Sequence, residues 1–274
     1  VVEELDDLGD PRLADYLHLR EPSRRMGVER ERGIFTLEGR LSLEALLASP
    51  YEVRSILVTR ELAARVDALV AASRRANDRI PILSLSAEEI EALSGVHFHR
   101  GVLAVAVRPS PRAVGDVVAG ARRVLVLESV NDHENVGALF RNAAAFGVDA
   151  VVLDPTTSDP LYRRATRVSL GHVLHVPFAR VEAGRWPAAV EELRDSGLTT
   201  VALTPDRGAE PLGALVADAP RRVALLLGAE GPGLTPGALA AADRRVRIPM
   251  VRDVDSVNVA TAAAIALSAL HGWT

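Results

Sequence analysis

The chain holds 274 residues, nearly twice the usual size of one domain, and its 48% hydrophobic and 25% charged residues are those of a globular protein, so two domains are expected. It has no cysteine, and its 32 basic residues are all arginine, which excludes disulfides, thiolate metal sites, a cysteine nucleophile, lysine Schiff bases and a lysine-bearing phosphate loop. A formal charge of −4 excludes a polycation that coats nucleic acid indiscriminately, while leaving room for a local basic surface.

The acidic start, Val1 to Asp7, has the wrong sign for a secretory or mitochondrial leader, and no apolar run reaches membrane-spanning length, so a soluble, cytoplasmic protein is expected. Gly33 to Gly39 reads as a strand and turn, Ser42 to Ala48 as a short helix, Val53 to Val58 as a strand and Glu61 to Asn77 as a helix. Ile82 to Leu85 is the next strand, Ser86 and Glu89 form a capping box for a helix to Leu93, and Gly101 to Val107 is another strand. This makes an α/β unit over residues 1–110. The proline- and glycine-bearing stretch after it predicts a linker over 111–120.

Over 121–274 the strands become continuous apolar runs: Val124 to Leu127, Ala150 to Leu153, Thr200 to Leu203 and Val223 to Leu227. Such runs, alternating with helical patterns at Gly137 to Phe146, Pro187 to Asp195 and Val259 to Leu270, predict a doubly wound parallel sheet. Ligands in such sheets sit beyond the carboxyl ends of the strands.

Three segments look like parts of a site. After the strand ending at Leu127, a polar loop leads to Asn135, expected to cap the helix that carries Arg141. His133 and Glu134 in that loop are either an imidazole–carboxylate base or a solvated pair. After Leu227 comes Gly228-Ala229-Glu230-Gly231-Pro232-Gly233, whose glycines let the backbone approach a ligand but lack dinucleotide spacing. Ile248-Pro249-Met250 then stops a short strand, and Ser256-Val257-Asn258 opens a helix of small residues with Asn258 as its cap.

Taken in order, Asn-x-Gly-x-x-x-Arg, Gly-x-Glu-Gly-x-Gly and Ile-Pro-Met followed by Ser-x-Asn-Val resemble the SpoU, or TrmH, family of RNA ribose 2'-O-methyltransferases in the SPOUT superfamily. The stretches Gly33 to Arg40 and His99 to Ala104 are similar to that family's substrate-binding domain, a fold resembling ribosomal proteins that grip kinked RNA. The resemblance implies S-adenosylmethionine bound in a deep trefoil knot, with Gly228, Gly233, Ile248 and Val257 around it and Thr204, Pro205 and Met250 at the adenosine. Val257 stands where the family commonly has leucine, a shape-conserving change. It also implies substrate and catalytic roles for Arg141, Asn135, Glu230, Ser256 and Asn258 and a homodimer through the C-terminal domain, while the histidines other than His133 are scattered without metal-ligand spacing, so no metal is expected.

A ribose hydroxyl needs its proton removed or its developing charge stabilised. Arginine is too weak an acid to serve readily as a base, so Arg141 is read as binding phosphate and stabilising an alkoxide, with Glu230 available to fix Arg141 or the ribose. Phosphate contacts are expected from Arg24, Arg25 and Arg30, from Arg40 and Arg100 in the matching stretches, and from Arg163 and Arg164 on a later helix. Glu21, Glu29 and Glu31 interleave the first cluster, which makes a solvated, salt-bridged face the alternative there. The expected reaction is 2'-O-methylation of 23S ribosomal RNA. Transfer RNA as substrate, an antibiotic-blocking methylation and a non-catalytic RNA-binding module are the alternatives.

Overall fold

The structure, a computed structural model, describes residues 2–75, 77–95, 101–218, 220–251 and 256–271. It divides into two compact units, one of residues 1–110 with 161–175, the other of 111–160 with 176–274. A division at residue 110 alone would have placed 161–175 in the second unit.

The first unit contains β1 (Val2–Glu4), α1 (Pro22–Arg32), β2 (Ile34–Glu38), α2 (Arg40–Ala48), β3 (Val53–Thr59), α3 (Arg60–Ala71), β4 (Ile82–Leu85), α4 (Ala87–Ser94) and β5 (Val102–Val107). Its sheet has the order β1-β4-β3-β5-β2, with β5 antiparallel to both of its neighbours. Ile34, Leu57, Leu83, Leu103 and Val105 from the strands bury against Leu13, Tyr16 and Leu19. The capping box of α4 is as expected, with Ser86 Oγ accepting from Glu89 N and Glu89 returning the bond to Ser86 N. Helix α3 ends at Ala71 rather than running on to Asn77. Ser73 donates its hydroxyl to the Val70 carbonyl and accepts from Arg75 N, so a local turn displaces the next helical turn. Helix α1 was not anticipated, because its run of arginine and glutamate carries almost no apolar stripe. From later in the chain, α7 (Arg163–Val168) belongs to this unit and packs on β2.

The second unit contains α5 (Val114–Val118), β6 (Arg123–Leu127), α6 (His133–Ala145), β7 (Ala150–Leu153), β8 (Phe178–Arg180), α8 (Ala188–Asp195), β9 (Thr199–Leu203), β10 (Glu210–Pro211), α9 (Leu212–Ala217), β11 (Val223–Leu227), α10 (Pro236–Ala241), β12 (Arg244–Arg247) and α11 (Val259–His271). The seven strands are all parallel, in the order β10-β12-β9-β11-β6-β7-β8. The four apolar runs are β6, β7, β9 and β11, adjacent in the middle, which is why both of their faces are buried. In the stretch expected as a linker, Val117 and Val118 of α5 are buried in this unit's core. Among the described residues, no helix is long and apolar enough to cross a membrane.

Candidate active site

Strands β12, β9 and β11 are neighbours, and each ends abruptly: β9 before Thr204-Pro205, β11 at Gly228, β12 before Ile248-Pro249. Beyond their carboxyl ends lies a cavity of about 320 Å³, lined by Leu203 to Pro205, Leu227 to Gly231, Gly233, Ile248, Met250, Ser256 to Val259 and Ala262. Every residue assigned to the cofactor from the sequence lines this cavity, together with Glu230, Ser256 and Asn258.

The glycine segment folds back on itself. Gly233 N donates to the Ala229 carbonyl at 3.0 Å, and Gly231 and Gly233 have φ of 86° and 71°, which side-chain-bearing residues rarely adopt. A Cβ on Gly228 would lie 2.2 Å from the Gly233 carbonyl carbon and 2.3 Å from Leu234 N, so only glycine permits this return of the backbone.

Asn258 joins the parts. Its Oδ1 accepts from Ala260 N at 2.9 Å and Thr261 N at 3.3 Å, capping α11 as expected. Its Nδ2 donates to Asn135 Oδ1 at 2.8 Å and to Glu230 Oε1 at 2.7 Å. One amide thus spends both donors and its acceptor on three segments far apart in sequence. Two expectations are corrected here. Asn135 does not cap α6: Asp132 does, accepting from Glu134 N at 2.7 Å, while Asn135 is the buried third residue of the helix and faces Asn258. Glu230 holds Asn258 rather than Arg141.

Arg141 does not line the cavity. Asn135 and Asn142, about two turns apart, both engage the α11 end, Asn142 Nδ2 donating to the Ala260 carbonyl at 2.8 Å. Arg141 is turned about 100° from Asn142, is exposed, and makes no hydrogen bond or ion pair among the described residues.

The lining carries one carboxylate, Glu230, and, among the described residues, no cationic side chain. Among the described residues a phosphate-bearing ligand finds no ionic partner in this lining, whereas a cation with a flat apolar body meets apolar walls and an acid. The residues present therefore suit S-adenosylmethionine, a sulfonium attached to adenosine.

Sequence comparison supplies the deciding observation. The SpoU rRNA Methylase family matches residues 122–268, and the family described as RNA 2'-O ribose methyltransferase substrate binding matches residues 36–112. The chain belongs to the SpoU family of RNA methyltransferases. An uncharacterized tRNA/rRNA methyltransferase of Mycobacterium tuberculosis is 46% identical, covering 97% of this chain and 90% of the relative. A 23S rRNA guanosine 2'-O-methyltransferase of Bacillus subtilis is 29% identical over 99% of this chain and 100% of its own. The crystal structure of an AdoMet-bound rRNA methyltransferase from Sinorhizobium meliloti shares the fold, with a TM-score of 0.80 at 22% identity, covering 99% of this chain and 98% of that one.

In this SpoU-family chain the arginines assigned to RNA fall into distinct groups. Arg25 is corrected: it is 1% exposed, pairs with Glu29 at 2.9 Å, and donates to the Asp15 and Leu17 carbonyls and to Thr36 Oγ1. Arg163 is corrected as well, for it is held by Glu38 at 2.7 Å and by the Leu19 carbonyl. Arg24 is exposed with Glu21 at 3.7 Å, Arg40 is exposed and paired with Glu44, and Arg30 and Arg164 are exposed. Arg100 lies outside the described residues.

Burial pushes the Glu29 carboxyl above its usual range, against the pull of Arg25. Arg25→Met would strip that buried acid of its ion pair at 2.9 Å and Thr36 of the guanidinium it accepts from. A loss of about 3–5 kcal/mol is expected, measured by urea unfolding, against less than about 0.5 kcal/mol for Arg24→Ala.

The sequence reasoning missed Glu128, Trp186, Thr235 and Asn142. Glu128 follows β6 directly, and a carboxylate after an apolar strand was the available signal.

Proposed function

We propose that the protein transfers a methyl group from S-adenosylmethionine to a ribose 2'-hydroxyl of RNA, with 23S ribosomal RNA as substrate. The reading is carried by the convergence of the glycine loop, Glu230 and the Asn135–Asn258 pair on one cavity. Bound there, S-adenosylmethionine would supply an electrophilic methyl group.

The chain's own residues do the rest. Gly228, Gly233, Ile248, Met250, Val257, Thr204 and Pro205 wall the site, with backbone groups available to an adenosine. Glu230 spends one oxygen on Asn258, leaving the other to accept from the ribose hydroxyl and orient it. Ser256, exposed at the cavity, adds a hydroxyl that can donate or accept. Arg141 binds the phosphate beside that ribose and stabilises the charge that develops as the hydroxyl loses its proton.

The reading includes a trefoil knot in the C-terminal part, supported by the insertion of β12 between β9 and β10. It also includes a homodimer through the second unit, supported by the exposed, unpartnered Arg141 and by the absence of a cation from the described lining. In this reading the exposed Arg24, Arg30, Arg40 and Arg164 contact phosphates of the substrate, and the reaction is cytoplasmic because its ribosomal RNA substrate is. Transfer RNA stays as a second substrate because the Mycobacterium tuberculosis relative is named for both RNAs.

Labelled methyl transfer to ribosomal and transfer RNA, followed by nucleoside mass spectrometry, tests this. A 2'-O-methylnucleoside in 23S rRNA is expected. Label on a base, or none on either RNA or on ribosomal particles, would overturn the reading.

A further inference from the structure

Glu128 is 1% exposed and, among the described residues, pairs with no cation, an expensive placement for a carboxylate. Both of its oxygens are nevertheless hydrogen-bonded. Oε1 accepts from Thr235 Oγ1 at 2.7 Å and from the Trp186 indole N–H, and Oε2 accepts from Thr235 N at 2.8 Å. Its own backbone N–H donates to the Leu227 carbonyl at 2.9 Å, so the carboxylate stands beside the end of β11.

Those bonds bracket the cofactor loop. Residues 228–234 leave β11 at Gly228 and reach Thr235, whose Oγ1 also accepts from Ala238 N at 3.2 Å and so caps α10. One end of the loop is set by the sheet. The other is set by Thr235, and Thr235 is held by Glu128. We infer that Glu128 is a positioning residue for S-adenosylmethionine binding: through Thr235 it fixes the far end of the 228–234 loop and thereby the width of the cavity. This rests on the proposed reaction only for the identity of the ligand.

A carboxylate is required by the donors it faces. The indole and the Thr235 backbone N–H can only donate, and they meet different oxygens, so a glutamine would turn an NH₂ group against one of them whichever way its amide lay. Glu128→Ala and Thr235→Val each remove bonds of the bracket at the loop. Trp186→Phe removes a bond to the same carboxylate from a residue outside the loop, and Thr235→Ser keeps the hydroxyl.

The experiment compares these four variants of the full chain by calorimetric binding of S-adenosylmethionine, thermal melting, and hydrogen exchange of the 228–235 amides without cofactor. Glu128→Ala and Thr235→Val are expected to weaken binding about tenfold or more and to speed exchange in the loop. In those two variants the KM for cofactor should rise while the KM for RNA holds. Trp186→Phe is expected to melt lower with near-normal affinity, and Thr235→Ser to restore affinity.

Unchanged affinity in Glu128→Ala and Thr235→Val, or a Trp186→Phe loss as large as theirs, would overturn the inference and leave Glu128 a packing residue. If the unaltered chain binds no S-adenosylmethionine, the proposed reaction fails instead. The loop assignment is then decided by exchange alone: faster exchange in Glu128→Ala but not Trp186→Phe supports it, and equal exchange refutes it.

Discussion

Gly228→Ala is expected to abolish measurable S-adenosylmethionine binding, raising Kd at least about 100-fold, and to destabilise the fold by about 1–3 kcal/mol. The cause is steric and local. The new methyl would sit 2.2 Å from the Gly233 carbonyl carbon and 2.5 Å from its oxygen, and these are backbone atoms with no rotamer to escape through. Gly233 is fixed in turn by its bond to Ala229 and by a φ of 71°, so the loop has to open to admit the methyl. Opening it moves the wall of the cavity on which Glu230 and Asn258 meet. Gly213→Ala is the control, because that glycine lies in α9 with nothing within 4 Å of an added Cβ. It should bind the cofactor normally and melt at or slightly above the parent temperature. Calorimetry on the two variants decides the matter, and normal affinity in Gly228→Ala would mean that the loop does not contact the ligand.

The sequence displayed the parts of this site better than their connections. Continuous apolar runs revealed β6, β7, β9 and β11 because central parallel strands bury both faces, whereas β8 and β10, at three and two residues on the sheet edges, carry too little pattern to register. Each site segment was legible as a polar or glycine-rich turn directly after a strand. The cofactor's identity came from the resemblance and not from spacing. Asn258 read as a cap, which it is, but its bonds to Asn135 and Glu230 span 123 and 28 residues, and no local pattern encodes them. The same limit misplaced Asn135, since Asp132 and Asn135 are both good capping residues and only the packing of α11 on α6 selects between them. Arg25 looked like one more surface cation among acids. Its burial depends on Asp15 and Thr36, which lie on either side of it in the chain and meet it only in the fold. Glu128 was invisible as a positioning group because Thr235, the residue it holds, is 107 positions away.

Arg141→Ala is expected to lower kcat for methyl transfer by about 100- to 1,000-fold, the usual cost of removing one preorganised donor to a developing oxyanion, with Kd for S-adenosylmethionine unchanged. The split follows from position, for Arg141 contributes nothing to the cavity wall and engages no other described residue, so its removal disturbs neither the cofactor loop nor the α6–α11 contact made by Asn142. Arg141→Lys should recover little, because a single ammonium cannot replace the two parallel donors that a guanidinium offers to phosphate. If two copies pair as proposed and each supplies Arg141 to the other's cavity, Arg141→Ala and Asn258→Ala proteins, each nearly inactive alone, should regain activity when mixed and allowed to exchange subunits. The mixed dimer would then hold one cavity with an intact Asn258 facing an intact arginine, and one with neither. An arginine acting on its own chain's cavity gives no such rescue, since every cavity in the mixture would lack one of the two groups. Rescue to about half of the activity per mixed dimer therefore assigns the arginine to the partner copy. Continued inactivity, with mixed dimers shown to form, assigns it to the chain that carries it.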